Sequence, residues 1–480
     1  MKKKLLFKAR TVSLFVLMMV SLNGLAQDQD LVGKIKGSWS GPLKVGAAEL
    51  TLVINIIPDE KNNFTVTIDS PDQGVKGIAT SKVTVTLDSL VVKSAILKGS
   101  YEGAFSDNYS TLNGKWKQSG MTFPLDLHHS FDKYSINRPQ EPKPPYPYLE
   151  REVIVKNEKA NVELAGTLTT PQSGGPFPAV ILITGSGPQN RDEELMGHKP
   201  FLVLADYLTR KGLAVLRVDD RGIAKSSGKF STATTLDFAT DVSAEVDFLK
   251  KQKDIDSTRI GLLGHSEGGL IAPIVASERK DIAFIVLLAG PGVTGEKILL
   301  SQVAILNRRA GLSDKEVKDD SLLRIKIYSI IKKNPDNNKA SEKIKSLIKS
   351  FAKKNPDEMG FAKMDDNQLN LFIQQGTSAW FRTFLILDPV NYLSKVQCPL
   401  LALNGSLDIQ VPAKENLPAI EKAMIFGGNS NYSMEEMPGL NHLFQHATTG
   451  NIDEYSKIEE TMSPDVLEKI AVWINKIWKR

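Results

Sequence analysis

The sequence of 480 residues has little of what builds disulfide, metal or membrane proteins. Its one cysteine, Cys398, cannot form an internal disulfide, and it cannot supply the clustered thiolates of a structural zinc or iron–sulfur site. The six histidines are scattered, so we expect neither a metal ion nor an organic cofactor. With 41% hydrophobic and 24% charged residues, the composition is that of a globular protein, which excludes wholesale disorder, collagen and a polytopic membrane protein.

The first 26 residues have the pattern of a secretory signal peptide. Basic residues at positions 2, 3, 4, 8 and 10 precede an apolar run over 12–22. Gly24-Leu25-Ala26 has small residues at the two positions that a signal peptidase recognises. The apolar run is much shorter than the roughly 20 residues of a membrane-spanning helix. We therefore expect cleavage after Ala26, a periplasmic or secreted protein, and no stable membrane insertion.

The formal net charge of +5 comes from this leader, which holds five basic residues and no acidic one. The remaining chain is formally neutral. The sequence pI of about 8.8 therefore gives no electrostatic argument for nucleic acid, and no recognised nucleic-acid motif is present. We expect no nucleic-acid partner.

Residues 27–135 are predicted to form a small antiparallel β domain. Runs rich in β-branched residues or with alternating polarity lie at 50–57, 63–68, 82–87 and 95–101, separated by clusters of Gly, Asn and Asp. Trp39 and Trp116 stand in Gly-Trp segments near its two ends. An aromatic ligand platform is one interpretation, but core packing is favoured for a tryptophan in a short β domain.

Five prolines within residues 136–148 predict a stiff linker, because proline removes backbone donors and favours extended chain. After it, over 149–480, apolar runs at 179–183, 213–218, 259–263, 282–288 and 400–404 alternate with helix-like segments. This alternation predicts a doubly wound, mostly parallel sheet covered by helices on both faces, with ligand chemistry at the carboxyl ends of the strands. Residues of about 295–385 contain amphipathic helices and no convincing strand, which predicts an inserted helical cap.

The strongest chemical signal is Gly264-His265-Ser266-Glu267-Gly268, directly after a predicted strand and before a helix-like run. This is the G-x-S-x-G pattern in its strand–turn–helix context, where a strained turn exposes the serine hydroxyl. Ser266 is therefore the candidate nucleophile. A plain turn between a strand and a helix is the alternative.

A serine hydroxyl needs a base and an acid that orients the base, and in this type of fold they follow in the order Ser, Asp, His. Asp408 lies in the loop after the predicted strand 400–404, and His442 lies in the glycine-bearing turn after the strand-like run 432–437. An aspartate here could also be a turn residue or a helix cap. His446, the only other histidine downstream of Ser266, is predicted to be solvated surface, and His265 to be a buried residue of the turn.

A developing oxyanion needs two N–H donors, one from the residue after the nucleophile and one from the loop after an early strand. Glu267 N–H is the first candidate. The loop at 184–188 follows the predicted strand 179–183, and its glycines allow amides to turn inward. Ser186 N–H is the second candidate, with Gly187 N–H as its substitute. A phosphate-binding loop is disfavoured, because no Lys-Ser/Thr pair follows.

Together these segments resemble the bacterial carboxylesterase branch of the α/β-hydrolase superfamily. The resemblance covers residues of about 150–480 and rests on Thr184-Gly185-Ser186-Gly187-Pro188-Gln189, Asp219-Asp220-Arg221-Gly222, Gly264-His265-Ser266-Glu267-Gly268-Gly269, Asn404-Gly405-Ser406-Leu407-Asp408 and Gly439-Leu440-Asn441-His442. It implies the α/β-hydrolase fold and a small-molecule ester as substrate. Thr184 stands where many relatives have histidine. Arg221 is expected to pair with an acidic neighbour beneath the site, a substrate contact being the alternative.

We expect a serine hydrolase that cleaves carboxylic esters through an acyl-serine intermediate. Two other functions stay open. One is a peptidase or amidase of the same fold, and the other is a binding protein that keeps the hydrolase shape without turnover. The sequence does not specify the oligomeric state.

Overall fold

The structure, a computed structural model, describes residues 29–45, 48–58, 64–118, 120–131, 137–354 and 360–478. The predicted signal peptide, residues 1–26, lies outside this part of the chain. The chain divides into two compact units, residues 1–70 with 76–134 and residues 71–75 with 135–480. No helix among the described residues combines the length and the apolarity that crossing a membrane requires.

The first unit is an antiparallel sheet preceded by one short helix. Its elements are α1 (Gln29–Ile35), β1 (Gly37–Val45), β2 (Ala48–Pro58), β3 (Phe64–Ser70), β4 (Val75–Ala79), β5 (Lys82–Val85), β6 (Ser89–Ser94), β7 (Gly99–Phe105), β8 (Thr111–Gln118), β9 (Met121–Pro124) and β10 (Leu127–Ser130). The strands follow the order β4-β3-β2-β1-β10-β8-β7-β6-β5, and β9 pairs with β8. The run predicted at 95–101 is only partly a strand, because residues 95–98 form the turn before β7.

Trp39 and Trp116 are core residues of this unit, as the packing interpretation predicts. Both are at most 1% exposed, and the indole N–H of Trp39 donates to the carbonyl of Ile35 at 2.9 Å. The Trp39 ring also stacks on the ring of His129, with centroids 4.2 Å apart. Buried tryptophans of this kind contribute a large apolar area while their polar N–H is satisfied.

The second unit contains an eight-stranded sheet with helices on both faces. Its strands are β11 (Leu149–Asn157), β12 (Val162–Thr170), β13 (Phe177–Ile183), β14 (Ala214–Val218), β15 (Ile255–His265), β16 (Ile285–Leu288), β17 (Leu400–Gly405) and β18 (Tyr432–Met437). They follow the order β11-β12-β14-β13-β15-β16-β17-β18. The pairs β11–β12 and β12–β14 are antiparallel and the rest are parallel. The prediction of a mostly parallel, doubly wound sheet is confirmed.

The helices of this unit include those that cover the two sheet faces and those of an insertion. They are α2 (Pro200–Arg210), α3 (Thr235–Leu249), α4 (Gly268–Glu278), α5 (Gly295–Arg309), α6 (Asp314–Lys333), α7 (Asn337–Lys354), α8 (Asp366–Gly376), α9 (Ala379–Ile386), α10 (Val390–Leu393), α11 (Ala413–Phe426) and α12 (Pro464–Ile477). One core lies under α3, α4 and α11, and another lies under α2 and α12 on the opposite face. In α12, Val466, Ile470 and Ile474 are fully buried on one stripe at helical spacing.

Helices α5 to α9 occupy the chain between β16 and β17. They have a core of their own, which includes Ile327, Ile331, Ile344 and Ile348. Ser313 and Asp365 cap α6 and α8 with reciprocal capping boxes. Local capping signals and an independent apolar cluster thus stabilise this insertion.

The proline-rich segment before β11 is held against the second unit by hydrogen bonds. The guanidinium of Arg138, which is 7% exposed, donates to five backbone carbonyls, those of Asn137, Met196, Gly197, Ser456 and Ile458. Gln140 bonds the backbone of Thr461 and Met462. Residues 137–148 are therefore a docked arm of this unit, in addition to connecting it to the first one.

Candidate active site

Ser266 lies at a sharp turn between β15 and α4. Its φ of 51° is in the left-handed region, which costs a non-glycine residue free energy and is held here by the surrounding packing. A Cβ at Gly264 would collide with the carbonyl of Gly268, and a Cβ at Gly268 would collide with the carbonyl of Ile183. The small residues of the motif therefore let β15, α4 and the end of β13 approach one another, and the Ser266 side chain stays partly accessible.

Asp408 and His442 form a buried hydrogen-bonded pair. His442 Nδ1 lies 2.8 Å from Asp408 Oδ2, and the two residues are 4% and 5% exposed. Asp408 Oδ1 accepts from the N–H groups of Gln410 and Val411 at 2.8 and 2.9 Å, so the carboxylate is fixed from its other side. An aspartate held in this way fixes the imidazole orientation and its Nδ1–H tautomer, which leaves Nε2 free to take a proton.

His265, which directly precedes Ser266, contacts His442. The His265 ring lies 4.8 Å from the His442 ring between centroids, and its Nε2 lies 3.0 Å from the His442 carbonyl oxygen. Ser266 follows His265 directly in the chain. The structure thus places the predicted nucleophile, base and orienting acid in one region at the carboxyl ends of β15, β17 and β18.

The loop after β13 is braced by carboxyl groups on its neighbours. Thr184 Oγ1 donates to Asp220 Oδ1 at 2.7 Å, and the N–H of Gln189 donates to Asp220 Oδ2 at 2.9 Å. The N–H of Gly185 donates to Glu193 Oε1 at 2.7 Å. Thr184 therefore donates a hydrogen bond to Asp220, and Asp220 in turn anchors the loop at Gln189.

Several amides around Ser266 are free to bind a ligand. In the part of the chain that the structure describes, the N–H groups of Glu267, Ser186 and Gly187 make no hydrogen bond. A Cβ added at Gly185 would lie 3.2 Å from the Ser266 Cβ, so the loop passes directly beside the serine. Free amides from two elements beside one hydroxyl are suited to bind an oxyanion.

Buried carboxyl groups lie beneath this region. The pKa of Asp220 is raised to about 7, mainly by burial and also by the charges of Glu267 and Glu193, while the hydrogen bonds from Thr184 and Gln189 oppose the shift. Burial also raises the pKa of Glu245 well above its usual value, and that of Glu267 in spite of two hydrogen-bonded partners. The raised pKa values of these three carboxyl groups identify a poorly solvated region beneath the site.

The other residues singled out from the sequence have structural contacts. Arg221 Nε lies 2.6 Å from Asp241 Oδ2, as expected for a pairing under the site. His446 is solvent-exposed and pairs with Glu460 at 2.9 Å. Among the described residues, no group of His, Cys, Asp or Glu has the arrangement of a metal site.

Three contacts near the site were not predicted from the sequence. They are the pair of Glu193 and His265, the anchoring of Thr184 by Asp220, and a hydrogen bond of Glu267 with Trp380 in α9. The acidic run at 192–194, shortly after the glycine loop, is the local feature of the sequence that points to the pair of Glu193 and His265.

The sheet order, the serine turn after β15 and the Asp–His pair after β17 and β18 define the class of protein: the chain is a hydrolase with the α/β-hydrolase fold. It is similar to bacterial esterases. A family model described as "Serine aminopeptidase, S33" matches residues 199–358.

Individual relatives carry esterase names. Esterase EstD of Thermotoga maritima is 26% identical over 330 residues, which cover 68% of this chain and 69% of that protein. Among solved structures, an esterase of Pyrococcus furiosus matches with a TM-score of 0.42 and 20% identity over 72% of this chain and 98% of that one. Est1E from Butyrivibrio proteoclasticus, bound to ferulic acid, matches with a TM-score of 0.40 and 19% identity over 68% and 100% of the two chains.

Proposed function

We propose that this protein hydrolyses carboxylic esters of small molecules through an acyl-serine intermediate. The observation that carries the proposal is the buried hydrogen bond between His442 Nδ1 and Asp408 Oδ2, 2.8 Å long, next to a serine held at a φ of 51°. The similarity to Esterase EstD supports ester substrates.

The chemistry follows from the roles of five residues. Ser266 Oγ attacks the ester carbonyl carbon while its proton passes to His442 Nε2, and Asp408 stabilises the imidazolium that results. The N–H groups of Glu267 and Ser186 stabilise the oxyanion, with Gly187 N–H as the substitute for Ser186. The intermediate collapses as the His442 proton moves to the leaving alkoxide, and the acyl group stays on Ser266.

Water then completes the cycle. It attacks the acyl carbon and gives a proton to His442, and the second tetrahedral intermediate releases the carboxylic acid as that proton returns to Ser266 Oγ. These residues supply every proton transfer, so we propose that the reaction needs no metal ion or organic cofactor. Full activity after dialysis against a chelator is the expected result.

The second candidate is a peptidase or amidase, which the description of the matching family model favours. The same residues would act, but His442 would protonate a leaving amine. A chain-length series of aryl esters, assayed beside aminoacyl anilides, separates the two. Ester turnover with a higher kcat/KM supports the proposal, and preferential cleavage of anilides contradicts it.

The nucleophile is tested by Ser266→Ala and a serine-directed phosphonate. We expect the variant to lose turnover by roughly four to six orders of magnitude and to lose labelling completely, because the nucleophile acts as a unit with its base. Ser277→Ala in α4 is the matched control, since its hydroxyl donates to the carbonyl of Ile274. Labelling of Ser266→Ala would refute the assignment, as would wild-type turnover.

We also propose that residues 1–26 are a cleaved export signal and that the protein acts in the periplasm or outside the cell. The basic start, the short apolar run and Ala26 support this proposal. Amino-terminal sequencing of the exported protein should begin at Gln27. An intact amino terminus on protein from the cytoplasmic fraction would contradict it.

A further inference from the structure

Glu193 and His265 form a buried pair between the loop after β13 and the end of β15. They are 4% and 7% exposed, and Glu193 Oε1 lies 2.9 Å from His265 Nδ1. Glu193 has a φ of 52°, a left-handed conformation that is unfavourable for glutamate and that persists only when tertiary contacts compensate it. The pair is 72 positions apart in the chain.

The carboxylate of Glu193 has a second partner, the N–H of Gly185 at 2.7 Å. Gly185 directly precedes Ser186, whose N–H is the proposed oxyanion donor. A single oxygen of Glu193 therefore holds the backbone that carries this donor. Because Gly185 N–H is already bonded, the free N–H groups of the loop begin at Ser186.

The imidazole of His265 also has a second partner, the carbonyl oxygen of His442 at 3.0 Å from Nε2. A carboxylate and a carbonyl both accept hydrogen bonds, so both ring nitrogens donate when each carries a proton. Burial lowers the pKa of His265, but the charge and hydrogen bond of Glu193 raise it, and the net shift is upward. The ring thus connects Glu193 directly to the backbone of the proposed base.

We propose that Glu193 and His265 are positioning residues. They hold the loop that contains His442 and the loop that contains Ser186 in place relative to Ser266. The chain of contacts runs from Gly185 through Glu193 and His265 to His442 and touches all three parts of the catalytic machinery. This inference rests on the proposed function, because it assigns the pair a role through Ser266, His442 and Ser186.

Two substitutions of His265 separate its two contacts. The amide nitrogen of asparagine can take the place of Nδ1 and keep the contact with Glu193, whereas that of glutamine can reach the place of Nε2 and keep the contact with the His442 carbonyl. We expect His265→Asn to lower kcat by about 10- to 100-fold with KM changed less than about twofold, since a displaced base costs rate rather than binding. His265→Gln should retain more of kcat than His265→Asn.

Glu193 gives a second pair of variants that does not depend on how His265 substitutions fold. Glu193→Ala removes the acceptor from Gly185 and should lower kcat to a similar extent. Glu193→Gln keeps an acceptor oxygen for Gly185 and should recover most of that loss. Because the residues act as one unit, Glu193→Ala combined with His265→Asn should be close to the worse single variant.

The control for general destabilisation is Ile474→Ala, a buried substitution in α12 away from these loops. It should lower thermal stability while kcat of the folded protein stays at the wild-type value. The inference is wrong if the His265 and Glu193 variants keep the wild-type kcat, or if their kcat/KM falls only through a change in KM. It is also wrong if Ile474→Ala shows an equal decrease in kcat at the same folded fraction. Ser266→Ala, assayed on the same ester, tests the proposed function separately. An active Ser266→Ala variant would contradict the proposed function, whereas an inactive one leaves only the role of Glu193 and His265 to be decided.

Discussion

The carboxyl group of Glu267 accepts hydrogen bonds from the indole N–H of Trp380, with oxygens 2.8 and 3.0 Å from Nε1. Thr235, at the start of α3, donates to the same carboxyl group at 2.6 Å. Glu267 follows Ser266, and its backbone N–H is the proposed oxyanion donor. One residue therefore joins the serine turn to helix α9 of the insertion, so displacement of α9 is expected to disturb the turn.

Trp380→Phe tests this connection. The variant keeps an aromatic ring that can stack on Phe384, whose ring centroid lies 5.3 Å from that of Trp380, but it removes the N–H donor. We expect a loss of about 1–3 kcal/mol in the free energy of unfolding, because Glu267 is buried and keeps only Thr235 as a side-chain donor. A severalfold fall in kcat should accompany it. Phe384→Leu is the control, because it perturbs the packing and leaves the Trp380 N–H donor in place. Wild-type stability and kcat in Trp380→Phe would contradict the proposed link between α9 and the serine turn.

Asp408→Asn should lower kcat by roughly four orders of magnitude while the fold survives. The amide can present an N–H to His442 Nδ1, which selects the wrong tautomer for a base, and a loss of this size is known for a Ser-His-Asp triad. Asp388→Asn is the matched control, because Asp388 Oδ1 accepts from the N–H two residues later just as Asp408 Oδ1 does. The measurement is kcat of both variants on one aryl ester. An equal decrease in kcat for Asp408→Asn and Asp388→Asn would remove Asp408 from the proposed triad.

The environment of His198 predicts that the free energy of unfolding decreases in acid. The pKa of His198 is lowered to about 4, mainly by burial and also by the nearby charge of Arg138, while the bond to the Tyr455 carbonyl opposes the shift. Since the unfolded histidine titrates near 6.5, its contribution is complete above that pH and is lost progressively as pH falls from 6.5 through about 4. At pH 5 the loss from this group is about 2 kcal/mol, at about 1.36 kcal/mol per pKa unit.

Denaturant unfolding at pH 7 and pH 5 measures this effect. His198→Gln should be less stable at pH 7, because contacts with Thr461 and Tyr455 at 3.0 and 2.8 Å are altered. Its stability should then change less than that of the wild-type protein between the two pH values. An equal or larger change in the variant would show that His198 is not the titrating group.

Two truncated chains test the role of the first unit and of the arm at 137–148. Every residue of the proposed mechanism lies in the second unit, so a chain beginning at Ser135 should keep turnover on small esters. A chain beginning at Tyr148 lacks Arg138 and Gln140 and leaves buried carbonyls unpaired, so its melting temperature should be lower. If the longer chain folds but has lost turnover on small esters, the first unit contributes to the site.

Local patterns in the sequence account for much of the second unit. The strand-like run at 432–437 coincides with β18, and the G-x-S-x-G pattern marks the turn at which Ser266 has a positive φ. These features depend on residues adjacent in the chain. The antiparallel strands β11 and β12 were not singled out, and the start of β7 was predicted too early, because the preference of a segment for a strand depends on how its side chains pack in the finished sheet.

The sequence by itself determined the strands from β13 to β18 and the residue types at the serine turn, because hydrophobic period, turn chemistry and small residues act over a few positions. Only the tertiary structure decided which polar groups meet: Glu193 with His265 across 72 positions and Trp380 with Glu267 across 113. Such pairs form because burial makes an unpaired polar group costly, and which partner is at hand depends on how the whole sheet and its insertion pack.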